Sequence, residues 1–339
     1  MTGKEQNYYL KLINLMKKIR YSIIGCGAIA GGYGNKQKIN GVYTHVEALS
    51  KIKIFQPMTC LDLIYKKALK FKKKFGFQNA SSNLNILNKV KNELIIVSAD
   101  TSAHYNILNK ILKIRNKPKI VLCEKPLTTN KKQCLEIYNK FNKKKIILAV
   151  NFNRRWDETT KKIKRDIQNN FYGKFRVGYC LYNKGLLNTC SHVIDLMNLF
   201  FRKIKVIYVG KKIYDYDKSD PSVPFIINTE DGDINFLCSD NQDSNMLEIK
   251  LIFSKKIIET CDGGMSWVIK DNKDKNILSY DFSFYDYKKN LFKKTYKYAF
   301  LNLAKNMSNT IRYKKKILCS GKEALYVHTV INKILLDAK

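Results

Sequence analysis

The chain has 339 residues, a formal charge of +35, nine cysteines and four histidines. The length suffices to bury a large core and predicts two domains. No apolar stretch approaches the ~20 residues that cross a bilayer, which excludes a membrane-spanning helix and sets no membrane partner as the expectation. The cysteines form no C-x-x-C pair and histidines are few, so zinc-ligand spacing is absent and no metal is expected. Most of the cysteines fall in apolar runs and read as reduced thiols acting as small hydrophobes. Only eight of the 63 basic residues are arginine, and no basic cluster interleaved with aromatics stands out. That profile looks like codon bias in an AT-rich genome and argues against a nucleic-acid partner. Attraction to anionic small molecules, such as phosphorylated or nucleotide-linked sugars, remains. No signal-peptide core is seen, so the expected location is cytoplasmic.

Residues 1–15 carry no motif and read as an N-terminal extension, with Met16-Lys17-Lys18-Ile19 a natural start for the first strand. The apolar run Ile19, Tyr21, Ile23, Ile24 then ends in Gly25-Cys26-Gly27-Ala28-Ile29-Ala30. This is the order of a buried strand, a tight turn and a helix start. Gly25 permits the turn, Gly27 lets the backbone approach a pyrophosphate, and small Ala30 allows close helix packing. The unpaired N–H groups and dipole at the helix start suit phosphates. Gly31–His45 is glycine-rich and polar and reads as a loop, flanked by Tyr33 and His45, either covering a site or inserted at the surface. Met58–Leu61 predicts a second strand, with Pro57 tolerable at its first position. Its terminal Asp62 stands where an acid binds ribose hydroxyls, although the separation from the glycines exceeds the usual ~20 residues.

Lys66–Phe75 predicts a helix stopped by Gly76. Strands at Leu94–Ala99, Lys119–Glu124 and Ile146–Val150 alternate with helices at Ala103–Ile114 and Asn130–Asn142. Such alternation predicts a Rossmann-type doubly wound parallel sheet over residues 16–150. Beyond it, Thr159–Phe171 and Ser191–Phe201 read as helices. Phe175, Val177, Tyr179 and Leu181 alternate with period two. Strand-like runs follow at Ile204–Val209, Ile234–Cys238, Leu247–Phe253, Ile257–Cys261 and Tyr280–Tyr285, and a last helix at Lys322–Leu336. Residues 151–339 are therefore predicted to form an α/β domain with an open, mainly antiparallel sheet.

Three motifs sit at ends of predicted parallel strands: Ala99-Asp100-Thr101-Ser102-Ala103-His104, Cys123-Glu124-Lys125-Pro126 and Asn151-Phe152-Asn153-Arg154-Arg155-Trp156. Ligands of open α/β sheets bind at those ends. A fourth, Gly185-Leu186-Leu187-Asn188-Thr189-Cys190-Ser191-His192-Val193-Ile194-Asp195, opens a helix. A neutral imidazole suits removal of a hydroxyl proton, which makes His192 the candidate general base or acid. The Lys125 ammonium suits stabilisation of a developing oxyanion. Arg154 and Arg155 present planar forks for a carboxylate or phosphate, unless they bond nearby backbone or acids. Asp195, three residues after His192, falls on the same helix face and either orients the imidazole or favours the helix dipole. Trp156 reads as packing. His104, early in a helix, is a candidate near the cofactor, with capping or exposure as the alternatives.

The glycine turn, the Glu-Lys-Pro triplet and the Ser-His-x-x-Asp helix together resemble the glucose-fructose oxidoreductase / inositol dehydrogenase / MocA family over residues 16–339. The resemblance implies an NAD(P)-binding Rossmann domain followed by a domain that binds substrate and mediates oligomerisation, hence a homodimer or homotetramer. It implies a hydride moved between nicotinamide and a sugar, cyclitol or related carbonyl compound. Gly25, Gly27, Ala28, Ile29, Asp62, Ala99, His104, Glu124 and Lys125 would hold the cofactor. Lys125, His192 and Asn188 would act in catalysis, and Arg154, Arg155 and Asp195 on the substrate. Glu124 matches a residue near the nicotinamide ribose, a buried ion-paired carboxylate being the alternative. The family often has a cis peptide before the proline of the triplet. Asn188 departs from the pattern: many members carry Asp there, and Cys190 replaces a common glycine. An amide orients a hydroxyl but supplies no charge. The Gly-Leu-Leu-Asn stretch resembles a subgroup of surface-polysaccharide sugar metabolism. Asp62 favours NAD, with NADP kept open by Lys66 and Lys67. Three other readings stand beside this one: a redox-neutral sugar epimerase or lyase retaining NAD, a non-catalytic dinucleotide-binding protein, and a nucleic-acid binder.

Overall fold

The computed structural model describes residues 17–32, 41–201, 203–271 and 295–339 in full, and 272 and 285–291 as backbone. The extension at 1–15, Tyr33 and most of the strand expected at Tyr280–Tyr285 lie outside the described residues. The chain divides into two compact units: Met1–Asn151 with Phe300–Lys322, and Phe152–Ala299 with Glu323–Lys339.

The first unit holds a sheet of six parallel strands: β1 (Ile19–Ile24), β2 (Phe55–Leu61), β3 (Asn79–Ser81), β4 (Leu94–Val97), β5 (Ile120–Cys123) and β6 (Ile147–Val150). Their order, β3-β2-β1-β4-β5-β6, is doubly wound about β1 and β4. Central β4 and β5 are apolar and buried at every position, as a sheet covered on both faces requires. Between the strands run α1 (Ala28–Gly31), α2 (His45–Ser50), α3 (Tyr65–Phe75), α4 (Thr101–Ile111) and α5 (Lys131–Lys143). Gly76 ends α3 at φ 70°, and the Asn130 side chain caps α5 by accepting from Gln133 N. Strand β2 begins at Phe55, so Pro57 lies inside it rather than at its start. A bulge absorbs the missing N–H: Tyr21 pairs with Pro57, and Ser22 with Thr59.

The second unit carries α6 (Glu158–Gln168), β7 (Phe175–Tyr182), α7 (Ser191–Phe200) and the strands β8 (Lys205–Val209), β9 (Ile213–Asp217), β10 (Asp220–Ser222), β11 (Phe225–Asn228), β12 (Asp233–Cys238), β13 (Leu247–Phe253), β14 (Lys256–Thr260), β15 (Val268–Asn272) and β16 (Tyr285–Leu291). Eight of these form one sheet, β16-β15-β14-β13-β7-β12-β11-β8. It is mixed: β7 and β12 run parallel, and the other pairs antiparallel. Strands β9 and β10 form a separate hairpin. Val177, Tyr179 and Leu237 remain exposed on the large sheet.

Two helices complete the chain: α8 (Ala299–Tyr313) and α9 (Gly321–Asp337). Expecting all of 151–339 in the second domain overlooks α8. Its Phe300, Leu303, Ala304 and Met307, at helical spacing, surround a small void with Ala48, Leu49, Leu94, Ile96 and Leu122. The segment after it continues in the first unit, where Val150 N donates to Cys319 O at 3.3 Å and Ala149 bridges Ser320. The chain thus returns to cover the sheet it built first.

On α9, His328 is 3% exposed and its Nε2 has no hydrogen-bond partner. Burial pushes the imidazole down to about 4. An unfolded histidine titrates near ~6.5, so between about 6.5 and 4 the unfolded chain binds the extra proton. Stability is therefore full above that range and falls by about 3 kcal/mol on acidification through it. His328→Leu is expected to flatten the acid side of a urea-unfolding profile. A slope equal to that of the parent chain would contradict this assignment.

Candidate active site

In the first unit the turn after β1 is fixed by hydrogen bonds from three directions. Gly25 N donates to Leu61 O at 2.7 Å. Ser98 Oγ donates to Gly25 O at 2.9 Å, and Cys26 N donates to Asp62 Oδ2 at 3.0 Å. Gly25 has φ 93°, and a Cβ there would lie 2.5 Å from Ala99 N, so only glycine fits. At Gly27 a Cβ would meet nothing within 4 Å. That open space belongs to a cavity of ≈ 690 Å³ at the carboxyl ends of β1, β2 and β4, a volume in the range of cofactor sites.

Asp62 lines this cavity, its other oxygen accepting from Ile64 N at 3.0 Å. Leu63 and Ile64 also line it and are 91% and 53% exposed. Apolar side chains left open beside a strand-end carboxylate suit a ligand with a flat aromatic ring and a hydroxylated sugar. Ile107 and Ala103 of α4 and Leu84 add apolar wall, and Lys67 and Lys110 add cationic rim. The residues present therefore fit an adenine dinucleotide. The backbone of Gly27, Ala28 and Ile29 supplies N–H groups at the start of α1, a helix of only four described residues.

Ala99 lines the cavity as expected, but His104 does not. Its ring is wholly buried, with Nδ1 3.0 Å from Pro126 O and Nε2 2.9 Å from Ala99 O. It ties the loop after β4 to the Lys125–Pro126 peptide, which is cis. A cofactor contact by the imidazole is thus replaced by a bracing role.

Glu124 has both oxygens engaged. Oε1 lies 2.6 Å from His45 Nε2 and accepts from Asn151 Nδ2 at 2.7 Å, while Lys125 N donates to Oε2 at 3.3 Å. Burial pushes this carboxyl up, but the His45 hydrogen bond and charge, Asn151 and the Lys125 ammonium outweigh it, holding it below the ordinary carboxylate value. Glu124 is thus a buried carboxylate paired with His45 and Asn151. Lys125 itself is half-buried. Asn151 Oδ1 is buried without a hydrogen-bond partner, a polar atom available beside this cluster.

In the second unit Arg154 and Arg155 occupy a short 3-10 turn and are 9% and 7% exposed. Arg155 Nε donates to both Asp195 oxygens, at 2.9 and 2.8 Å. Burial pushes the Asp195 carboxyl up, and the Arg155 charge pulls it only partly back. Arg154 Nε donates to Gly263 O, and its guanidinium packs on Gly263 and Gly264. Arg155 Nε is thus paired with Asp195 and Arg154 Nε with backbone. Asp195 holds Arg155 rather than the His192 ring.

His192, half-buried on α7, meets the Phe152 ring edge-on at 6.0 Å between centroids. Asn188, one π-helical turn earlier, is exposed, with its backbone N donating to Asp220 Oδ2 at 2.8 Å. Sequence reasoning missed His45, Leu63 and Asp220. Leu63-Ile64-Tyr65 directly after a strand-end acid was a usable signal for the second. His45 lies 79 positions from Glu124, and nothing local links them.

Residues 19–152 match the profile of an oxidoreductase family with an NAD-binding Rossmann fold. The myo-inositol 2-dehydrogenase of Thermotoga maritima is 31% identical over 104 residues, 30% of this chain and 30% of that protein. An uncharacterised oxidoreductase of Schizosaccharomyces pombe is 40% identical over 81 residues, 23% of this chain and 21% of that protein. The matched stretch thus spans under a third of these relatives. Among solved structures, a levoglucosan dehydrogenase with NADH and levoglucosan superposes at TM-score 0.76 and 13% identity, over 95% of this chain and 97% of that one. The WlbA dehydrogenase of Bordetella pertussis, with NADH and UDP-GlcNAcA, does so at 0.74 and 14%, over 95% and 96%. At such identities the shared property is the fold, here along nearly the whole chain.

Proposed function

We propose that this chain, whose residues 19–152 match an oxidoreductase family with an NAD-binding Rossmann fold, is a member of the glucose-fructose oxidoreductase / inositol dehydrogenase / MocA family and an NAD(P)-dependent dehydrogenase or reductase of a sugar or sugar derivative. The observation that carries the reading is the cavity over Gly25 and Gly27, with Asp62 on its wall and an exposed apolar rim. When bound there, the nicotinamide cofactor supplies or accepts the hydride.

The chain's own residues do the rest. Gly27 admits the pyrophosphate and Asp62 accepts from ribose hydroxyls, favouring NAD because a 2′-phosphate would be repelled. Lys67 on the same wall works in the opposite direction. Lys125 donates to the reacting oxygen and stabilises its negative charge. His192 takes the hydroxyl proton in oxidation and returns it in reduction. Asn188 orients a substrate hydroxyl without supplying charge. The substrate we propose is a sugar or nucleotide-linked sugar, such as those of surface polysaccharides. The excess of 63 basic over 28 acidic residues draws such anions.

The test is mass spectrometry of copurifying NAD(H) or NADP(H), then nicotinamide absorbance with myo-inositol, levoglucosan and UDP-GlcNAcA. Lys125→Met and His192→Ala are expected to lower kcat by about 10²–10⁴-fold, with NADH affinity kept in His192→Ala. A chain that binds neither dinucleotide would end this reading. The exposed Val177, Tyr179 and Leu237 are proposed to pack against a second copy in a homodimer or homotetramer. Tyr179→Lys with Leu237→Lys should then halve the mass seen by light scattering, and a monomeric parent chain would refute it.

A further inference from the structure

The helix bearing His192 starts in an unusual way. Gly185–Cys190 wind as a π-helix before α7 continues them. A helix start leaves its first N–H groups without intrahelical partners, and the wider π turn leaves one more than an α-helix does. Here side chains from the β9–β10 hairpin serve them in succession. Asp215 Oδ2 accepts from Lys184 N at 2.8 Å, and Ser222 Oγ from Gly185 N at 2.9 Å. Asp220 then accepts from two: Oδ1 from Leu187 N and Oδ2 from Asn188 N, both at 2.8 Å.

The fit is mutual. Gly185 has φ 81°, and a Cβ on it would lie 2.3 Å from Asp220 Oδ2 and 2.4 Å from Asp220 O. The hairpin is also pinned just beyond Ser222. The buried Tyr182 hydroxyl donates to Val223 O at 2.7 Å and accepts from Val223 N at 3.0 Å. Asp220 is therefore a fixed anion at the positive end of the helix that carries Asn188 and His192. The side chain at 188 has no charge, but a carboxylate stands at its backbone N–H.

We propose that Asp220 is a positioning residue for the Asn188–His192 face, holding the π turn through its two accepted N–H bonds and so setting where the imidazole lies. This rests on the catalytic role given above to His192, but its test does not need that role. In Asp220→Ala, Leu187 N and Asn188 N lose their acceptor and the turn is free to rewind. In Asp220→Asn one oxygen still accepts, and the amide N–H₂ faces the other donor.

The experiment follows the ring Cε1–H signals of the four histidines in a carbon-edited spectrum of the full chain, with His192 assigned through His192→Gln. Asp220→Ala is expected to shift or broaden the His192 signal and leave those of His45 and His104 in place. Added sodium formate, a small carboxylate able to sit on the vacated N–H groups, should bring the signal back. With a sugar found by the absorbance screen, kcat should fall by about 10²-fold while KM for NAD holds. Should Asp220→Ala fail to fold, Asp220→Asn carries the same comparison. A His192 signal overlaying that of the parent chain overturns the proposal. A parent chain that binds neither dinucleotide defeats the functional reading, and the histidine spectrum then still decides the role of Asp220.

Discussion

Gly25→Ala is expected to destabilise the first unit by about 2–4 kcal/mol, and Gly27→Ala by less than about 0.5 kcal/mol, while both lose NADH affinity. The two glycines share a motif but fail differently. At Gly25 the backbone is left-handed, at φ 93°, and the added methyl would press on Ala99 N and on Ser98 C and O, at 2.5–2.6 Å. These are backbone atoms of the loop after β4, held in turn by Ser98 Oγ on Ile24 O and Gly25 O. Neither side has a flexible end to move. At Gly27 the methyl meets nothing in the free chain, so folding is spared. It would instead stand where the pyrophosphate approaches, and its cost is felt only on binding. Urea unfolding beside NADH fluorescence titration separates the two. Equal stability losses, or a Gly27→Ala chain that binds NADH like its parent, would contradict this division.

Arg155→Met is expected to cost the second unit about 3–5 kcal/mol, the usual penalty for stranding one half of a buried ion pair. Asp195, 1% exposed, would keep its carboxylate with its nearest cation gone. Pairing the change with Asp195→Leu should recover most of the loss, because two apolar groups strand no charge. The sign of the pH effect follows from burial. The folded Asp195 carboxyl already lies above its ordinary value, and removing Arg155 raises it further. The folded Arg155→Met chain thus binds a proton more readily than the unfolded one. Its deficit relative to the parent should shrink as pH falls from neutrality toward about 4. Urea midpoints of the single and double variants at pH 7 and pH 5 test this. A single variant as stable as the double one would show that the pair carries little.

The alternation of apolar strands and amphipathic helices made the first sheet legible, because each element there obeys one period. Ala103–Ile114 and Asn130–Asn142 shift by two or three residues at most against observed Thr101–Ile111 and Lys131–Lys143. Gly25 was readable because its left-handed backbone demands glycine, and Asp62 because it stands directly at a strand end beside the turn. What failed was non-local. Nothing near Arg155 announces that Asp195, 40 positions on, pairs with its Nε. His104 sits beside a cofactor motif, yet its ring faces two carbonyls, one of them 22 positions away. Helix α8 had a clean stripe in Phe300, Leu303, Ala304 and Met307, but its partners lie some two hundred positions earlier in the chain. Pro57 argued for the first position of its strand, and a bulge let it remain inside.

The return of α8 to the first sheet has a consequence for how the chain is made. While the ribosome is still adding residues up to about 299, the wall formed by Leu94, Ile96 and Leu122 has been synthesised without its cover. The nucleotide-binding half emerges first yet lacks its cover until Phe300–Lys322 are made, so nascent chains should recruit chaperones along most of translation. Any fragment cut near position 151 would inherit the same bare wall as a permanent defect.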